Sequence, residues 1–91
     1  MVVKWRSTAL DRLAAIYTAE PTPDRREFIF ETAHAINLRL ADEAESLGES
    51  RGPNGRIWFH YPLVVGFTLP SGGGVVVFHV ERLKDNSQNA S

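Results

Sequence analysis

The sequence predicts an α+β domain of order β-α-α-β-β-β, with a two-helix hairpin packed on one face of a small, mainly antiparallel four-stranded sheet. Three observations carry this. From Gly55 to Arg82 the chain has three runs rich in β-branched and aromatic residues, divided by Pro62 and by Pro70 to Gly74. Such side chains suit a pleated, half-buried surface, and the Pro/Gly punctuation lets consecutive strands fold back as a meander. Before the meander, apolar residues recur at three and four, the period of an amphipathic helix, in two stretches separated by Pro21 and Pro23. At the start, Val2 to Arg6 has the composition of one more short strand.

Taken in order, that first strand alternates Val3 and Trp5 with Val2, Lys4 and Arg6. Ser7 offers a hydroxyl as N-cap to a first helix whose apolar stripe is Leu10, Leu13, Ala14 and Tyr17. The helix ends before Glu20 and Pro21. Thr22 caps the second helix, with Pro23 at its first position, where a missing N–H costs nothing, and Asp24 and Glu27 near the positive end of its dipole. Its buried stripe is Ile29, Ala33, Ile36 and Leu40, and it is expected to reach Ala41. Beyond that, Asp42, Glu43, Glu45 and Glu49 crowd together with no following base before Arg51. Leu47 to Gly55 reads as a loop, and Gly72 to Gly74 as a turn, since it leads into a strand and not into the helix a phosphate cradle needs.

The composition is that of an ordinary globular domain: 91 residues, 43% hydrophobic and 23% charged, too few for a second core. One domain is expected over residues 1–84, followed by a polar, disordered tail over 85–91. No run approaches a bilayer span and no signal-peptide pattern opens the chain, so a cytoplasmic protein with no membrane association is expected. Having no cysteine, the chain lacks disulfides, thiolate metal sites and thiol catalysis. His34, His60 and His79 are the only imidazoles, and their spacing fits no metal site, so neither metal nor cofactor is expected. A net charge of −1 argues against a phosphate grip spread over the whole surface; any nucleic-acid role must rest on a local patch.

Period-two alternation in the first meander strand separates Arg56, Trp58 and His60 from Ile57, Phe59 and Tyr61. The second set is the better core, so the first is expected on the open face of the sheet. In the last strand Val75, Val77, His79 and Glu81 alternate with Val76, Phe78, Val80 and Arg82. If the second of these sets faces the helices, His79 joins Arg56 and His60. His34, beside the second helical stripe, reads as structural.

The element order and the local motifs resemble the RelE/ParE superfamily of toxins from type II toxin–antitoxin systems. Val3-Lys4-Trp5 followed by Ala9, Leu10, Leu13 and Ile16 resembles the opening strand and first helix of that family. Leu47 to Arg51, Arg56, Pro62 to Val65 and Val75 to Phe78 resemble the C-terminal half of small ParE-like members. The resemblance implies a growth-inhibiting toxin, neutralised by a cognate antitoxin and directed at an essential target: DNA gyrase for ParE-like members, the ribosome and its mRNA for RelE-like ones. It implies target-binding roles for Arg51, Arg56, Trp58 and Lys84, and antitoxin anchors at Arg25, Arg26 and Arg39. If the chain were a RelE-like, metal-independent endoribonuclease, His60, His79 and Arg82 would be its catalytic set. RelE-like nucleases carry an arginine near the start of the middle strand, where the best match here is Val64. Its loss removes a fixed charge from the scissile phosphate and favours the ParE-like branch. An inactive orphan with the same fold is the remaining alternative.

Overall fold

The computed structural model describes residues 1–52 and 55–84. The expected tail over 85–91, and Pro53 and Asn54 within the expected loop, lie outside the described residues. The elements are β1 (Val3–Trp5), α1 (Ser7–Ala19), α2 (Pro23–Glu43), a 3-10 turn (Ala44–Ser46), β2 (Glu49–Arg51), β3 (Gly55–His60), β4 (Leu63–Thr68) and β5 (Val75–Arg82). They form one five-stranded sheet of order β1-β5-β4-β3-β2. β1 runs parallel to β5 and every other pair is antiparallel. The α+β class and the meander are as the sequence predicts. β2 is an added strand: Glu49, Ser50 and Arg51, expected in a loop, pair with Ile57, Arg56 and Gly55. All three are exposed, so no apolar alternation marks them as a strand.

The helices start and stop for local reasons. Arg6 N–H bonds to Val77 O at 2.9 Å and Leu10 N–H to Arg6 O at 3.0 Å, so the register of β1 makes Arg6 the N-cap of α1. Ser7 is thus the first helical residue and caps nothing, contrary to expectation. At α2 the expected cap forms: Thr22 Oγ1 accepts from Arg25 N–H at 3.2 Å, with proline in the first turn. α2 runs two residues past Ala41. Arg39, one turn back, pairs with Glu43 at 2.9 Å and offsets part of the acidic run.

The core lies between the hairpin and one face of the sheet. α2 contributes Ile29, Ile36 and Leu40 as expected, together with Thr32; the sheet contributes Leu63, Val65, Phe67, Val75, Val77 and Val80. α1 buries a different stripe from the one predicted: Ala9 and Ile16, with Leu13 partly buried, while Leu10 and Tyr17 stay exposed. The helix carries two overlapping apolar stripes, and small Ala9 sits on the side that approaches β5.

Two face assignments are corrected. In β3, Trp58 packs against the core, whereas Phe59 is 59% exposed, so Arg56, Trp58 and His60 face the helical side. Ile57 and Phe59 look out over the open face. β3 lies under the margin of the helical layer, where long amphipathic side chains keep their stems against the core and their polar ends in water. In β5 a register shift pairs Gly66 with His79 but Phe67 with Val77, leaving Phe78 as an extra residue. Val75 and Val77 therefore face the helices before the bulge, and Val80 and Arg82 after it, so neither expected set stays whole. A Cβ on Gly66 would stand 3.0 Å from Phe78 Cζ and 3.3 Å from Ile57 Cδ1. The Phe78 ring thus lies on the bare central strand, on the open face.

Candidate functional site

The sequence-predicted site residues fall into three groups. The first sits at the flank of the helical layer. Arg56 donates to Glu45 O at 2.7 Å and to Leu47 O at 3.3 Å, tying β3 to the chain leaving α2. The Arg39 guanidinium lies 5.5 Å from the Trp58 ring centroid, and His60 meets the same indole edge-on at 5.3 Å. Arg39 is held again by Glu43.

The second group surrounds Glu20, at the turn between the helices. Its carboxylate, 8% exposed, accepts from Arg82 Nε at 2.8 Å, and the Arg25 guanidinium stands 3.9 Å away. Arg26 donates to Glu20 O at 2.9 Å. Arg82 also reaches Leu83 O at 2.6 Å. Arg25, Arg26 and Arg82, expected to serve two different surfaces, therefore form one structural knot joining the helical turn to the end of β5. Lys84 is exposed just beyond it.

The third group is on the open face. His79 Nε2 lies 3.1 Å from Glu81 Oε1, and on β2 Arg51 lies 3.3 Å from Glu49. His60, His79 and Arg82 do not converge: His79 is on the open face, the other two on the helical side, and Arg82 is engaged by Glu20. β1 pairs with β5 only through Val77, and beside the uncovered remainder opens a polar cleft of about 490 Å³ lined by Thr8, Arg12, His79 and Glu81.

Two features escaped the sequence reading. One is Glu20, whose burial depends on two helices and a strand end meeting around it. The other is an apolar groove on the solvent side of the hairpin, with Leu10, Leu13, Ala14 and Tyr17 on α1 facing Phe30 and Ala33 on α2 across about 300 Å³. It continues past Leu10 and Phe30 into a second hollow of about 220 Å³ bounded by Trp5, His34 and Asn37. Trp5 Nε1 donates to Asn37 Oδ1 at 3.1 Å and closes that end. The signal for the groove is in the sequence: Leu10, Ala14 and Tyr17 repeat at four and three, a spacing that a buried stripe and a surface groove share.

The helical hairpin on one face of a sheet ordered β1-β5-β4-β3-β2 is a fold shared with chains of two solved toxin–antitoxin structures. Over 92% of its length the chain is similar to a solved chain described as the chromosomal ParDE TA system from P. aeruginosa, with TM-score 0.75, 21% identity and 97% of that chain covered. It is also similar to a chain of the toxin-antitoxin complex RelBE2 from Mycobacterium tuberculosis, with TM-score 0.68, 15% identity and 92% of each chain covered. No protein-family model and no curated protein matches the sequence.

Proposed function

We propose that this chain is the toxin of a bacterial type II toxin–antitoxin pair, inhibiting growth by binding an essential target and neutralised by a cognate antitoxin. The observation that carries the reading is the shared fold, end to end over the described domain, with chains from two toxin–antitoxin structures. The hairpin groove supports it. A continuous apolar channel flanked by Leu10, Tyr17 and Phe30 is what an amphipathic helix of an antitoxin would fill with side chains spaced at three, four and seven.

Binding without RNA cleavage fits the side chains better than an interferase does. Cleavage needs a base, a cation on the phosphate and an acid around one reacting atom. The residues expected for those roles lie on opposite faces of the sheet, and Val64 stands where an arginine was expected. Of the two branches implied by the family resemblance, the ParE-like one is favoured, acting in the cytoplasm.

The test is to induce the chain alone, and together with the small reading frame beside its gene, while following growth, translation and plasmid supercoiling. Growth arrest relieved by the neighbour, with translation intact and supercoiling altered, is the expected result. Immediate translation arrest would support the interferase, and no arrest at all would leave only the inactive fold.

A further inference from the structure

We infer that the chain associates with a second copy of itself through the outer edge of β2, joining two five-stranded sheets into one. The sheet ends at this strand. Glu49, Ser50 and Arg51 pair with Ile57, Arg56 and Gly55 on one side, and no described strand meets their other side. All three residues are exposed. Backbone amides and carbonyls that point away from the last strand of a sheet are a template for one more strand.

The order of side chains along the edge selects a second copy as that strand. An antiparallel pairing about a two-fold axis at Ser50 sets Glu49 opposite the second copy's Arg51, Arg51 opposite its Glu49, and Ser50 opposite its Ser50. Opposite charges and hydroxyls facing each other across an antiparallel ladder are favourable, whereas like charges there are not. Glu49 pairs with Ile57 and so shares its face, and Arg51, two residues on, shares it too. All four charges therefore gather on the open side of the seam. Within one copy the Arg51 guanidinium already stands 3.3 Å from the Glu49 carboxylate, with 57% and 76% of the two side chains exposed. Pairing gives each charge a second opposite neighbour, closing a ring of alternating sign.

The other edge of the sheet is built the opposite way. β1 reads Val3-Lys4-Trp5, and the same operation about Lys4 would bring two ammonium groups face to face. Charge on an edge strand normally repels a copy; at β2 its order recognises one. A two-fold contact uses the same edge of both copies, so the assembly closes at two and leaves only β1 edges outside. The axis passes through the sheet, which puts both hairpins on one side and joins the two open faces into one surface. Gly48 and Gly52, both at φ +77°, turn the chain out of the ladder on either side of β2. Contact confined to so short a strand falls below the roughly 800 Å² per partner of a standard interface, so the dimer is weak and dissociates on dilution.

The experiment is sedimentation equilibrium of the purified full chain alone, over concentrations up to about 1 mM, where weak association is populated. It compares the unmutated chain, Glu49→Arg, Arg51→Glu and the variant carrying both substitutions, each checked for its fold by circular dichroism. The unmutated chain should dimerise reversibly. Either single reversal sets like charges across both ends of the seam and should raise the dissociation constant at least about 10-fold. The double variant restores opposite charges and should dimerise again, as should an equal mixture of the two single variants, whose edges are opposite in sign. Amide hydrogen exchange at Glu49 to Arg51 should slow as concentration rises, while that of β1 stays unchanged. A monomer at every concentration overturns the inference. So does a dimer that both single reversals leave intact, or one that forms without added protection at β2, since either places the contact elsewhere. These outcomes are read on purified protein and hold whether or not the chain is a toxin.

Discussion

Glu20 holds three parts of the chain together. Its carboxylate lies between the end of α1 and the start of α2, almost out of water, and draws Arg82 from the end of β5 across 62 residues of sequence. Removing one partner from such a pair leaves the other charge poorly solvated, which costs more than the pair contributes net. Arg82 keeps 23% of its side chain exposed, so part of that penalty is relieved by water. Glu20→Ala should therefore lower unfolding stability by about 2 to 3 kcal/mol, at or just below the roughly 3 to 5 kcal/mol of fully buried pairs. In a double-mutant cycle with Arg82→Ala, read by urea unfolding, the two losses should be strongly non-additive. Additive losses would mean the pair does not couple.

At the scale of elements, the two helices begin by different devices. α2 has a side-chain cap on Thr22; α1 starts where β1 hands the chain over, with Arg6 bonded to Val77. Thr22→Ala should cost about 1 kcal/mol, whereas Ser7→Ala should stay within about 0.5 kcal/mol, because only the first removes a bond to a helical N–H. Thermal unfolding of the two single variants decides this; equal losses would show that Ser7 caps α1 in solution. The strands differ in a similar way. β4 is central and its core residues Leu63, Val65 and Phe67 are fully buried, while β3 lies nearer the edge and its helix-side residues are only half covered. That difference explains why Arg56, Trp58 and His60 can face the helices at all.

For the whole molecule, two exposed apolar regions among the described residues lie on opposite sides of the fold: the groove on the outer side of the hairpin and the Phe59 and Phe78 rings on the open face of the sheet. Phe30 is 63% exposed at the lip of the groove, so Phe30→Asp should leave the unfolding midpoint nearly unchanged. If the proposed function holds, it should weaken capture of the antitoxin by about 100-fold, as loss of an interface anchor does, measured by titration calorimetry. Growth arrest by this variant should persist, and the antitoxin should no longer relieve it. Retained antitoxin affinity would place that partner elsewhere.

The fold was legible in the sequence where the signal is local. Proline and glycine marked the turns of the meander, period three-and-four marked both helices, and Thr22-Pro23 marked the start of α2. The candidate site was legible only in part. Arg56, Trp58 and His60 do share a face, as alternation requires, but alternation cannot say which face the helices cover. Their other side, with Ile57 and Phe59, is the more hydrophobic by residue type and yet lies outward, because burial at β3 depends on how far α2 reaches across the sheet. β2 has no apolar pattern to betray it, and one extra residue at Phe78 exchanges the two faces of β5 part-way along. By itself, then, the sequence determined which elements form and in what order, since propensities and turn chemistry act over a few residues. Only the tertiary structure decided which side chains meet, because that depends on register, a bulge and the extent of the helical layer, each a contact between segments far apart in the chain.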